Sequence, residues 1–119
     1  MTAVRQLDEA TLEADAGILL NHLAVYAQQR GLSGLEFAHG IPGTLGGAIC
    51  MNAGAYGGEM RQVVTEVTAL LPEGVRRFTA EEAAFGYRRS AFLDTEAVVL
   101  GARLRRRATS PGHSSNRRA

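Results

Sequence analysis

The sequence has one cysteine, almost no net charge and no long apolar run, and each shortage excludes a class of protein. A single cysteine permits no internal disulfide, which suits a reducing compartment. A formal net charge of +1 gives no general pull toward nucleic acid or an anionic membrane. No segment approaches the ~20 apolar residues of a membrane span. Met1 to Ala10 has no apolar stretch of the kind that forms a signal peptide. At 119 residues the chain allows one domain at most. Its apolar share of 45% supports a core, although so short a chain leaves little margin.

Glycine is what the chain has in quantity, and seven of its 14 glycines fall between Glu36 and Gly58. They alternate with Ile, Leu, Met and Tyr rather than with Ser and charge, which points to backbone packed closely against something. Pro42 fixes its own φ and biases Ile41 toward an extended conformation. Pro42-Gly43-Thr44 reads as a turn that opens a short helix over Leu45–Met51, with Thr44 as N-cap. A glycine-lined helix start offers N–H groups and a positive dipole end to a phosphate or pyrophosphate. The pattern is neither G-x-G-x-x-G after a strand nor a phosphate loop with its lysine, so a tightly packed turn with no ligand is an equal reading.

Three strings in order carry a resemblance. They are Gly40-Ile-Pro-Gly-Thr-Leu-Gly-Gly-Ala48, Met51-Asn-Ala-Gly-Ala-Tyr-Gly-Gly-Glu59 and Phe85-Gly-Tyr-Arg-Arg-Ser90. Together they closely resemble the UDP-N-acetylenolpyruvoylglucosamine reductase (UDP-N-acetylmuramate dehydrogenase) family, over roughly Thr11 to Arg105. The resemblance implies an α+β fold, the second half of a vanillyl-alcohol-oxidase-type FAD-binding domain, cut at both ends. Family members are longer. A Gly-Gly-Gly-Ser-Asn stretch bearing part of the FAD site and a C-terminal substrate domain have no counterpart here.

The resemblance also implies chemistry. NADPH reduces the flavin, which reduces the enolpyruvyl ether of a UDP-sugar to a lactyl ether, in peptidoglycan precursor synthesis in the bacterial cytoplasm. The implied cofactor contacts are Gly40, Ile41, Pro42, Gly43, Thr44, Gly46, Gly47, Asn52, Ala53, Gly54, Ala55 and Tyr56. Tyr87, Arg88 and Ser90 would meet the substrate, with Arg88 catalytic. The implied partners are the UDP-sugar and NADPH, with no nucleic acid, membrane or metal. The family's proton donor and a catalytic Glu belong to the substrate domain, so the chain alone is expected to be inactive. A non-catalytic fragment, or half of a split flavin-binding module, is the rival reading. Another flavoprotein of the same fold is disfavoured by the Tyr87-Arg88-Arg89-Ser90 string, which fold alone does not require.

The residues allow more than one reading at several of these positions. Asn52 and Tyr56 can each donate and accept hydrogen bonds, and Tyr56 can pack against a flat ring. Equally, Asn52 could cap the helix and Tyr56 fill the core. A guanidinium at Arg88 suits a carboxylate and a developing enolate, yet a surface ion pair with Glu81 or Glu82 serves as well. Cys50, in an apolar run, reads as a small hydrophobe. His22 and His39 have no partner at metal spacing.

Elsewhere the pattern predicts a short strand at Thr11–Ala16 and a helix at Ile18–Gln29 with Leu19, Leu20, Leu23, Ala24 and Ala27 inward, stopped by Gly31. A hairpin is expected from Gln62–Leu71 and Val75–Phe78 about Pro72-Glu73-Gly74, with a closing strand at Ala97–Leu104. Ser33-x-x-Glu36 and Thr79-x-x-Glu82 both have the capping-box pattern, the first starting a short helical turn through Phe37 and the second opening a short helix through Ala84, although Glu36 could instead face the flavin site. Residues 1–105 are expected to form the partial domain and 106–119 a disordered basic tail, from a truncated or frame-shifted reading frame.

Overall fold

Leu12 and Ala14 point inward from β2 (Thr11–Asp15) while Glu13 points out, the period of two that the strand reading requires. The computed structural model describes residues 2–55, 58–86, 89–93 and 95–106. β2 lies between β1 (Val4–Gln6) and β7 (Val98–Arg105). Beyond β7 come β5 (Val64–Leu71) and the edge strand β6 (Gly74–Thr79), giving an antiparallel order β1-β2-β7-β5-β6. The last strand among the described residues is therefore the middle of the sheet. β1 is polar and escapes sequence patterning; it forms because β2 offers it a free edge.

The β5–β6 hairpin closes through Pro72 and Glu73, with Leu71 opposite Gly74. On β5 the inward residues are Val64, Val67 and Ala69. A register shift between Val64 and Glu66 inserts the extra residue that lets positions three apart share a face.

One face of the sheet is covered. Helix α1 (Leu20–Gln29) buries Leu20, Leu23, Ala24 and Ala27 and packs against a 3₁₀ turn, Glu36–Gly40. Helix α2 (Leu45–Met51) buries Leu45, Ala48 and Ile49 and packs against β7. Met60, Val63, Val67 and Leu104 complete the core. The architecture is the expected mixture of helices and antiparallel sheet. Among the described residues no helix is long and apolar enough to cross a membrane.

Helix α1 ends as predicted. Gly31 adopts φ +70°, its N–H meets Gln28, and Leu32 N–H meets Ala27, the paired bonds of a Schellman ending. Its start differs from expectation. Leu20 N–H donates to Gly43 and Leu45 N–H to Ile18, so residues 18 and 19 bridge to the start of α2 instead of coiling. Leu19 is accordingly 43% exposed, not core.

The two capping-box patterns part company. Thr79 N–H donates to Glu82 Oε1 at 2.9 Å and Glu82 N–H to Thr79 Oγ1 at 3.2 Å, the full reciprocal pair, closing a turn rather than a helix. At the other, Gly34 takes φ +106° and its own N–H meets the Glu36 carboxylate at 2.7 Å, so Ser33 caps nothing. Arg106 N–H donates to Ala10 at 2.8 Å; the rest of the expected tail, 107–119, lies outside the described residues.

Candidate functional site

Gly43, at φ +114°, makes the turn between Pro42 and α2 possible, since only glycine holds that conformation without strain. Thr44 follows in extended conformation, and its Oγ1 accepts from Gly47 N–H at 3.3 Å, the predicted N-cap. The expectation of spare N–H groups in the first helical turn fails. Leu45 donates to Ile18 and Gly46 to Ala16, both at 2.9 Å, and Gly47 is taken by Thr44. The carbonyls of Ala16 and Ile18, between β2 and α1, thus take two of the donors a phosphate at the helix start would need. Among the described residues, nothing accepts from the N–H groups of Gly43 and Thr44, one step earlier.

Those two residues border a cavity of about 570 Å³, within the range of small-molecule sites. Ile41, Pro42 and Gly47 share its wall. Ala48, Met51, Ala53 and Gly54 complete it. Seven expected cofactor contacts are thus brought together. Ala48 and Met51 were missed, yet both follow once Thr44 is the N-cap: positions 44, 47, 48 and 51 share one helical face. No lining residue is charged.

The glycines divide into two kinds. A Cβ at Gly46 would stand 3.0 Å from Ala16 Cβ; one at Gly54 would meet the Gly58 carbonyl at 2.7 Å; one at Gly58 would meet the Phe37 ring at 2.7 Å. These serve close packing of the chain on itself. Gly43 has nothing within 4 Å of its would-be Cβ, and Gly47 only Thr44 Oγ1 at 3.6 Å. Those two leave the cavity wall bare. Gly40, ending the 3₁₀ turn, and Gly46 do not line the cavity.

Asn52 and Ser90 are held inside the protein rather than presented to the cavity. Asn52 ends α2 at φ +47°, ψ +53° and is 4% exposed. Its Nδ2 donates to Glu59 Oε1 at 3.0 Å and to the Gly86 carbonyl at 2.7 Å, and its Oδ1 accepts from Arg61 N–H at 3.0 Å. The helix-cap reading of Asn52 therefore describes its geometry, and both amide hydrogens that a cofactor could use are taken. Ser90, 3% exposed, donates from Oγ to the Cys50 carbonyl at 2.9 Å and accepts from Phe92 N–H at 3.3 Å. Burial pushes the Cys50 thiol pKa up, as befits a small hydrophobe.

Gly86 and Arg89 exchange backbone hydrogen bonds, at 2.9 and 3.4 Å. Through Asn52 and Ser90 this segment is tied on both sides to the last turn of α2, whose Met51 lines the cavity. Tyr56, Tyr87 and Arg88 lie outside the described residues, as does the Ala55 side chain; Ala55 backbone pairs with Gly58 in the small β3 (Gly54–Ala55) and β4 (Gly58–Glu59) ladder. No cluster of metal-ligating side chains occurs among the described residues.

The lining suits a flat, largely apolar ligand with a polar edge. Ile41, Ala48 and Met51 provide apolar contact, Gly47 offers no side chain to block approach, and the Gly43 and Thr44 amides have no acceptor among the described residues. Residues 1–79 match the family model described as FAD binding domain. Over 93 residues the chain is 52% identical to UDP-N-acetylenolpyruvoylglucosamine reductase of Syntrophomonas wolfei, covering 77% of this chain and 31% of that protein. The same-named protein of Streptococcus equi subsp. equi is 45% identical over 114 residues, 95% of this chain and 37% of that one. The crystal structure of UDP-N-acetylenolpyruvylglucosamine reductase from Thermus caldophilus superposes with a TM-score of 0.72 at 39% identity, covering 81% of this chain and 36% of its own. The chain spans about a third of the length of the relatives it matches.

Proposed function

The chain belongs to the FAD-binding domain family, in the branch of the UDP-N-acetylenolpyruvoylglucosamine reductases, and from that premise we propose that the cavity beside α2 is its share of an FAD site. The carrying observation is the bare wall at Gly43 and Gly47, next to two amides with no acceptor among the described residues. Gly43 and Thr44 would donate to the polar edge of the cofactor, and Gly47, Ala48 and Met51 would pack on its flat part.

The reaction served is reduction of UDP-N-acetylglucosamine enolpyruvate to UDP-N-acetylmuramate, in peptidoglycan precursor synthesis in the bacterial cytoplasm, with NADPH as reductant. Bound FAD supplies the hydride, which side chains cannot. Arg88 would pair with the substrate carboxylate and stabilise the enolate charge beside it, a contribution of about 3–4 kcal/mol for a well-aimed donor in a dry site. Tyr87 would orient the substrate. Ser90 would act indirectly, by anchoring Arg88's segment at Cys50. The proton for the neighbouring carbon would come from a residue outside this chain.

Titrating the purified chain with FAD, followed by flavin fluorescence and retention of yellow colour after desalting, tests the site. Saturable uptake is expected, unchanged in Arg88→Ala. A chain that never takes up FAD would falsify the proposal and leave the split-module reading. One observation favours that second reading. Leu70 pairs with Val75 on one side and Val98 on the other, and the three are 43%, 63% and 55% exposed, an apolar row that a second polypeptide could cover.

A further inference from the structure

Three sulfur-bearing residues fall among those described, and they differ in access. Met60 is 0% exposed, whereas Met51 is 51% exposed and stands in the cavity wall. Cys50, beside it in the chain, is half-buried, and burial raises its thiol pKa, so little of it is the reactive thiolate. We infer that Met51 is a modification site, where a peroxide converts the thioether to the sulfoxide and so makes the cavity a poor seat for a flat apolar ligand. The effect on binding rests on the reading of that cavity as an FAD site; the oxidation itself does not.

The step needs hydrogen peroxide and no other group. A sulfur lone pair attacks one peroxide oxygen, and the S–O bond forms as the O–O bond breaks. The attacked oxygen gives its proton to the leaving hydroxide, which departs as water. Sulfur is oxidised by one electron pair and the peroxide is reduced by the same pair. Attack requires access to the sulfur, which exposure gives Met51 and burial denies Met60.

The product carries a polar, chiral S=O group where a soft apolar sulfur stood. Its neighbours in the wall cannot satisfy it. Ile41, Ala48 and Ala53 present hydrocarbon, and Gly47 presents no side chain. Among the described residues, Thr44 is the one lining side chain with a hydrogen to donate, and it caps the start of the helix that Met51 ends. Seven residues of helix put them about 10 Å apart along the axis. A ligand seated over Met51 would close the sulfoxide oxygen off from water without a donor, which is costly. An empty cavity leaves that oxygen solvated, so oxidation weakens binding and spares the fold.

The full chain is treated with hydrogen peroxide at neutral pH and digested with trypsin. Residues 31–61 form one tryptic peptide holding Cys50, Met51 and Met60, so fragment ions assign the added oxygen among the three. It should appear at Met51 well before Met60 or Cys50. The thermal midpoint should move little, while FAD uptake, read by flavin fluorescence, should weaken about tenfold. Methionine sulfoxide reductase should restore uptake, and saturating FAD present during the treatment should slow oxidation of Met51 severalfold. Met51→Leu, whatever its own affinity, should keep that affinity through the treatment; if it does not fold, reversal by the reductase carries the test. Oxygen at Met60 or Cys50 ahead of Met51 overturns the modification site. Selective oxidation with uptake unchanged overturns the effect on the cavity and leaves FAD binding standing. No uptake by the untreated chain overturns the FAD reading and the effect drawn from it, while the order of oxidation is still decided by the fragment ions.

Discussion

Glu13 Oε2 accepts from Arg103 Nε at 3.1 Å, across the β2–β7 pair in which the two residues stand directly opposite. The relationship extends across the whole sheet. Glu13 also pairs with Arg5 on β1, Arg103 approaches Glu66 on β5 at 3.8 Å, and Glu66 approaches Arg77 on β6 at 3.9 Å. Opposite charges alternate over all five strands on the uncovered face. The hydrogen bond from Arg5, then that from Arg103, holds the Glu13 carboxyl below its ordinary pKa. Because the folded value lies below the unfolded one, the contribution is present above the usual carboxylate range and is lost as pH falls through the folded value. Glu13→Gln should lower the thermal midpoint at neutral pH by an amount corresponding to about 0.2–1 kcal/mol. The two midpoints should converge in acid, and high salt should narrow the gap at neutral pH. A gap that persists in acid would assign the effect to packing instead.

Gly47 sits within a helix where an added Cβ would meet only Thr44 Oγ1, at an ordinary contact distance of 3.6 Å. Gly47→Ala should therefore raise stability by about 0.5–1 kcal/mol through helix propensity. It should also weaken FAD binding, because the new methyl enters the cavity wall. Thermal unfolding and FAD titration on the same preparation check both signs, and unimpaired binding would remove this face of α2 from the site.

Gly58 has no such freedom. A methyl there would lie 2.7 Å from the Phe37 ring, in a well-packed place. Gly58→Ala should cost about 1–3 kcal/mol by overpacking. Chemical denaturation measures it, and a neutral result would show that Phe37 can move aside.

Ala84 stands at φ +50° where the chain leaves the Thr79–Glu82 turn toward Gly86, and it is exposed. An alanine in left-handed backbone costs about 1–2 kcal/mol. Ala84→Gly relieves that strain but adds freedom to the unfolded chain, so a net gain of about 1 kcal/mol is expected. Loss of stability on substitution would mean that the alanine methyl makes a contact worth more than the strain.

The two Ser/Thr-x-x-Glu strings show how far local pattern reaches. Thr79 and Glu82 close the reciprocal pair because the backbone between them runs in one continuous turn. Ser33 and Glu36 have the same spacing, but Gly34 reverses the chain between them and its own N–H captures the carboxylate. Spacing records who could meet; the intervening φ decides who does. The cavity shows the complementary case. Its wall was legible at Ile41–Thr44, Gly47, Ala53 and Gly54, yet the source of its free donors was not. The amides of Leu45 and Gly46 are consumed by Ile18 and Ala16, some 27 to 30 positions earlier in the chain, and no local signal announces that pairing.

What the sequence determined unaided is whatever depends on near neighbours: the Thr44 cap, the Gly31 helix ending, the hairpin about Pro72 and Glu73, and the family strings themselves. Tertiary structure alone decided which glycines leave the cavity wall bare and which pack against protein, that Asn52 turns inward, and that the last strand among the described residues becomes the centre of the sheet. Those outcomes turn on partners distant in the chain, such as Gly86 for Asn52 and Phe37 for Gly58, and a backbone amide or a bare Cα has no side chain through which a sequence could declare its partner in advance.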